Sequence, residues 1–234
     1  FSRKAAEEAR DRAASELGIS QEQMVWFRTL HSMAFQYLGM NTRDVFRGSD
    51  YNKLGDMVGL EFTSNASVSM ADGTLFSGGR SGDAYLGMIQ QARVREVSLE
   101  KQFNDTADWR LHYQQALVIK DAVEAYKKVY GKKDFVDMIE DFIEEGKSPS
   151  FDVLIVDEAQ DLSPLQWRMV HEVLKPNAKR VYFAGDDDQC IYSWMGVNVR
   201  DFLKASDEKQ VLQQSYRIPS SVHDLAAGLI ERVD

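Results

Sequence analysis

Two carboxylate clusters are the residues of this chain best suited to chemistry. Asp157 and Glu158, with Asp161 close behind, follow the apolar run Phe151 to Val156, and Asp186, Asp187 and Asp188 follow Arg180 to Ala184. A hard divalent ion such as magnesium takes oxygen ligands, usually one or two protein carboxylates plus substrate phosphates. A neighbouring carboxylate can orient and deprotonate a water. In the plainer reading, Asp161 caps the next helix and the other acids are solvated in loops. For one isolated pair that reading prevails. Two clusters, each closing an apolar strand, favour the chemical one, because ligands in parallel sheets sit beyond the carboxyl ends of strands. Downstream, Tyr192 and Trp194 lie on a glycine-flanked stretch rich in acids. Core packing is the plain reading of both rings.

The elements that must position these groups follow from periodicity. Residues 2–17 read as a helix ended by Gly18, and Thr29 is placed to cap a second helix carrying Met33, Ala34, Tyr37 and Leu38, closed by Gly39. Val25, Trp26 and Phe27 form a short strand candidate. Residues 40–110 read as short strands, turns and loops, with nine glycines between Gly39 and Gly87. Helical spacing returns with Ile119, Ala122, Val123 and Tyr126 up to Gly131, then with Phe135, Met138, Ile139 and Phe142 up to Gly146. The other face of that last helix, with Asp134, Asp137, Glu140, Asp141, Glu144 and Glu145, reads as solvated.

The final third alternates strand and helix. Phe151 to Val156 reads as a strand buried on both faces, and Ser163-Pro164 starts a helix. Arg180 to Ala184 makes a second strand and Val211-Leu212 lies in a third. Ser220 or Ser221 then opens a helix with Val222, Leu225, Ala226, Leu229 and Ile230 inward. This order implies an α/β layer with a parallel sheet.

Composition sets limits on partners. The longest apolar stretches are too short to span a bilayer. One cysteine, Cys190, makes no internal disulfide and fits a reducing, cytoplasmic setting, and no secretory signal is present. Acidic residues outnumber basic ones, 37 to 28, for a net charge of −9. Any contact with nucleic acid must therefore rest on local geometry and stacking more than on a positive field. A chain that opens on Phe1 reads as an excised piece.

Six segments, in order, resemble the motifs of UvrD/Rep-like superfamily-one DNA helicases. Val156-Asp157-Glu158-Ala159-Gln160-Asp161 is similar to their Walker-B-type motif, and Gly185 through Trp194 to the next one. Leu212-Gln213-Gln214-Ser215-Tyr216-Arg217 resembles the fourth, and Phe1-Ser2-Arg3-Lys4-Ala5-Ala6 the segment just after the P-loop. Thr29-Leu30-His31-Ser32 resembles an early motif, and Lys133-Asp134-Phe135-Val136-Asp137-Met138 a segment upstream of the Walker B strand. The resemblance implies a RecA-like parallel sheet layer of the P-loop NTPase type. That layer would be built from residues 1–38 and 133–234, with residues 39–132 an inserted subdomain, mostly helical or irregular. It also implies ATP and Mg2+ as cofactors and single-stranded DNA as partner, in a bacterial or phage-infected cell.

Residue by residue, the resemblance implies that Asp157 helps hold magnesium and Glu158 activates the attacking water. Gln189 would sense the γ-phosphate, Arg217 would act as an arginine finger, typically worth about 10³–10⁵ in rate, and Tyr216 would stack on the adenine. Ser2, Arg3, Lys4, Thr29, His31, Tyr192 and Trp194 would touch the DNA. Two departures stand out: Cys190 where the family usually has Ser, and Met195 at a position often held by Arg. A P-loop needs Gly-x-x-x-x-Gly-Lys-Ser/Thr. Gly146-Lys147-Ser148 fails it, because Asp141 replaces the first Gly and Pro149 follows. The expectation is a fragment of an ATP-dependent helicase, inactive by itself, whose P-loop and second motor domain lie outside it. The rivals are a metal-dependent nuclease and a catalytically silent DNA-binding module.

Overall fold

Two short parallel strands carry the acidic segments. The computed structural model describes residues 3–63, 80–106, 108–212, 219, 221–222, 225–226 and 228. Strand β1 (Phe151–Val156) pairs in parallel with β2 (Ala178–Phe183), with Val153 opposite Arg180 and Ile155 opposite Tyr182. The crossover between them is α8 (Pro164–Met169), extended by a π turn over Val170–Leu174. Ser163 caps α8 by accepting from Gln166 N–H, and Pro164 occupies its first turn, where a missing N–H costs nothing. Leu165, Met169, Val170, Val173 and Leu174 are all buried, as their spacing predicts.

Before the strands come α1 (Arg3–Leu17), α2 (Leu30–Tyr37), α3 (Gly48–Val58), α4 (Asp83–Val94), α5 (Leu99–Asp105), α6 (Tyr113–Tyr130) and α7 (Phe135–Glu145). After them comes α9 (Val199–Leu203). Gly131 and Gly146 end α6 and α7 in the left-handed region, at φ 61° and 62°. Buried side chains fall into two clusters. One joins α2, α7, α8 and the strand ends around Met33, Ile139, Phe142 and Met169, and the other joins α3, α4 and α6 around Leu54, Ile89, Ile119 and Tyr126. The segment holding the second cluster leaves and re-enters at one place, for Val45 bridges Lys133, Phe46 N–H donates to Lys133 O (2.9 Å) and Lys133 N–H to Asp44 O (2.8 Å).

Several expectations are corrected. Val25 to Phe27 is a turn, because a lone three-residue run finds no partner strand among the described residues. The described parts of 40–110 are helical where strands and loops were expected, because α3, α4 and α5 bury apolar stripes that the glycines obscure. Strand β1 is covered on one face only, with Val153 and Ile155 exposed at 47% and 66%. Val211 and Leu212 form no strand and are 80% and 86% exposed. The sheet of the described residues thus has two strands, and Val222 and Leu225 point outward, at 50% and 68% exposed. Leu229 and Ile230 lie outside the described residues.

Candidate functional site

The two acidic segments are held side by side. Past the strand ends the ladder continues, with Ala184 N–H donating to Val156 O (2.8 Å) and Ala159 N–H to Ala184 O (2.9 Å). Gln160, 2% exposed, then ties the segments through its side chain. Its Nε2 donates to Glu158 Oε2 (2.8 Å), and its Oε1 accepts from Asp186 N–H (3.1 Å). Gly185 makes this possible, since a Cβ there would lie 2.3 Å from Gln160 Oε1. Sequence reasoning passed over Gln160. Its signal was an uncharged amide between two acids, able to donate to one group and accept from another.

Glu158 sits in the left-handed region, at φ 52° and ψ 40°, a conformation that costs a non-glycine residue of order 1–3 kcal/mol. Such strain gathers where a side chain must point a particular way. Glu158 precedes the short turn Ala159–Asp161 without capping it through its side chain, and Asp157 Oδ1 accepts from Glu158 N–H (3.0 Å). Burial raises the Asp157 carboxyl above its ordinary range, and the charge of Glu158 adds to this. Burial, then Glu158, raises Asp161 likewise. Asp161 Oδ1 is buried with no hydrogen-bond partner among the described residues. Burial and the charge of Glu158 thus both work against ionisation of Asp157 and Asp161.

On the β2 side, Asp186 caps the turn Asp187–Gln189 and accepts from Asp188 N–H (3.2 Å) and from Gln189 Nε2. The carboxylate oxygens of Asp186, Asp187 and Asp188 lie within 4.8 Å of one another, and all three are at least partly open to solvent. Glu158, Gln160, Asp186 and Gln189 therefore form one hydrogen-bonded chain from β1 to β2. Cys190 is half-buried, its Sγ 3.5 Å from Gln160 O, and burial raises its thiol.

The chain then runs through the turn Ser193–Met195, closed by Gly196 at φ 80°. Trp194 is 45% exposed, whereas Met195 and Val197, which follow it, are buried in the first cluster. Tyr192 packs partly buried against that cluster. Met195, at the position often held by Arg, is thus a core residue. Thr29 caps α2, its Oγ1 accepting from Ser32 N–H (3.1 Å). His31 meets the Phe135 ring edge-on at 5.7 Å and shares a small cavity with Met195. Burial lowers His31 to about 4, so its imidazole is neutral at pH 7.

The structure brings Asp157, Glu158 and Gln189 together, and Met195, next in sequence to Trp194, lines a small cavity with His31. Arg3 and Lys4 open α1, with side chains outside the described set. Ser2, Tyr216 and Arg217 also fall outside the described residues.

The family model of the UvrD/REP helicase N-terminal domain matches residues 1–210. DNA helicase II of Escherichia coli is 26% identical over 249 residues, covering 99% of this chain and 33% of the relative. ATP-dependent DNA helicase PcrA of Leuconostoc citreum is 25% identical over 244 residues, covering 98% of this chain and 32% of the relative. DNA helicase II of Haemophilus influenzae is 27% identical over 249 residues. The chain spans about a third of the length of these curated relatives. With the acidic strand ends, the glutamine chain between them and a family match running nearly its whole length, the chain belongs to the UvrD/REP helicase N-terminal domain family.

Proposed function

We propose that this chain is the front part of an ATP-driven motor that moves on single-stranded DNA and unwinds duplexes. The observation that carries the reading is the Gln160 tie, which links Glu158 at the end of β1 to Asp186 and, through it, to Gln189 at the end of β2. Phosphoryl transfer requires positioning and charge neutralisation more than covalent chemistry, and groups locked across two strands supply positioning. The split organisation, residues 1–38 and 133–234 around an insertion of 39–132, is supported by the bridge that joins Val45 to Lys133.

In this reading Glu158 accepts the proton of the attacking water, held by Gln160 and by its own strained backbone. Gln189 carries the state of the phosphate site toward Tyr192 and Trp194, three and five residues along the chain. Asp157 would hold magnesium, which would neutralise phosphate charge, and the unpartnered Asp161 Oδ1 fits a cation or its water nearby. Tyr216 and Arg217 take the adenine-stacking and arginine-finger roles. Trp194 offers an exposed ring to a base, and Ser2, Arg3, Lys4, Thr29 and His31 line the strand's path. In this assignment Tyr192 supports the Trp194 turn from the core side as well as facing the strand. The chain holds no Gly-x-x-x-x-Gly-Lys-Ser/Thr segment, so by itself it hydrolyses ATP poorly.

The test is phosphate release from Mg-ATP by the whole gene product, with and without single-stranded DNA. Stimulation by DNA, with turnover lowered about 10²–10⁴-fold by Glu158→Gln, is expected. Turnover untouched by that substitution overturns the assignment of the base.

A further inference from the structure

Helix α4 has one part in each buried cluster: Tyr85, Leu86, Met88 and Ile89 sit in the second and Val94 in the first. At the crossing lies Gln91, whose Nε2 donates to the main-chain carbonyl of Trp194. Its Oε1 accepts from Gln102 Nε2 (2.9 Å), and Gln102 is 2% exposed on α5. Gln102 Oε1 accepts in turn from Arg95 Nη1 (2.6 Å), and Arg95 also pairs with Asp105 (3.1 Å). The direction of this relay is forced. A guanidinium only donates, so Gln102 must present its oxygen to Arg95 and its amide N–H to Gln91. Gln91 must then present its own N–H to Trp194, whose carbonyl only accepts. Arg95 makes a second contact with the same turn, for a Cβ at Gly196 would lie 2.8 Å from Arg95 Cγ.

From this we infer that Gln91 is a positioning residue through which the inserted segment sets the Trp194 turn. Resting on the reading of Trp194 as a base-stacking ring, the relay makes strand affinity depend on residues 91, 95 and 102 as well as on the ring itself. From the core side, Tyr192, Met195 and Val197 also anchor the turn. Gln91 and Arg95 hold its other side, which leaves the Trp194 ring exposed while its backbone is pinned.

The experiment uses the whole gene product labelled with 5-fluorotryptophan, the resonance of Trp194 being assigned by its loss in Trp194→Phe. Gln91→Glu removes the donor and keeps the shape, and Gln91→Met does so without charge should the first variant fold poorly. The expected result is a shifted or broadened Trp194 resonance, with Trp26, Trp109 and Trp167 unchanged. The single-stranded DNA concentration for half-maximal ATPase stimulation should rise about threefold to tenfold, the worth of one net hydrogen bond, with kcat at saturating DNA held within about twofold. Adding either Gln91 substitution to Trp194→Ala should weaken DNA stimulation no further. A Trp194 resonance identical to wild type in both Gln91 variants overturns the inference, as do losses that simply add to those of Trp194→Ala. Wild-type turnover indifferent to DNA would instead sink the stacking role of Trp194, and the resonance alone would still decide whether Gln91 holds the turn.

Discussion

His31 is a half-buried imidazole whose neutral form the fold favours. Its ring packs against Phe135 and beside Met195, and burial moves it from 6.5 to about 4. Because the folded state holds the neutral form, the unfolded chain binds the proton more readily. The stability this contributes is fully present above pH 6.5 and is lost as pH falls from there toward 4. Melting temperatures across that window should fall with pH in the wild type and more shallowly in His31→Gln. Equal slopes would show that His31 is not the group responsible.

At the scale of elements, α7 departs furthest from its sequence pattern. Its acidic face reads as solvated, yet Asp134 is 6% exposed and Asp137 is half-buried. Arg93 from α4 reaches Asp134 (3.1 Å), Asp137 (2.6 Å) and Glu140, and Lys127 from α6 reaches Asp134 (2.9 Å) and Asp137 (2.7 Å). Burial alone would raise the Asp134 carboxyl, but Arg93 and Lys127 hold it down at about 2. The cluster therefore joins α4 and α6 to α7, which opens on the residue after the Val45–Lys133 bridge and the Asp134 cap. Arg93→Ala leaves buried carboxylates short of a partner and should cost about 3 kcal/mol, read as a drop in urea midpoint at unchanged slope. The contribution of Asp134 is present above pH 3.8 and lost as pH falls toward 2, so the penalty of Arg93→Ala should shrink in that acid range. A loss below about 0.5 kcal/mol at pH 7 would mark the cluster as a solvated surface network.

For the molecule as a whole, the sheet face that the described residues leave open is the feature with physical consequence. Val153, Ile155 and Tyr182 lie on it, exposed at 47%, 66% and 54%, and Trp26 reaches over its edge to meet Phe151 edge-on at 6.1 Å. Adjacent apolar side chains on a bare parallel sheet invite association, because such sheets are normally covered on both faces. Ile155→Lys should raise the solubility of this chain and lower its binding of a hydrophobic dye, while shifting its stability by less than about 0.5 kcal/mol. A large loss of stability would mean that Ile155 is covered in solution. No described helix is long and apolar enough to cross a membrane.

What the sequence determined by itself was local. Helix ends at Gly131 and Gly146, the Ser163-Pro164 start, the Thr29 cap and the two strands running into acid are written in neighbouring residues, because caps, turns and periodicity act over a few positions. So was the family, since Asp157-Glu158 and Gln189 through Trp194 stand in a recognisable order. Only the tertiary structure decided which faces are buried. Arg93 is 41 to 47 positions from the acids it pairs with, which turned a solvated-looking helix face into a buried cluster. Gln91 is 103 positions from the carbonyl it holds, and Gln160 lies 26 from the amide it accepts from. The strand buried on both faces and the third strand at Val211-Leu212 failed for the same reason. An apolar run shows that a strand can be covered, and only the arrangement of the other elements determines whether something covers it.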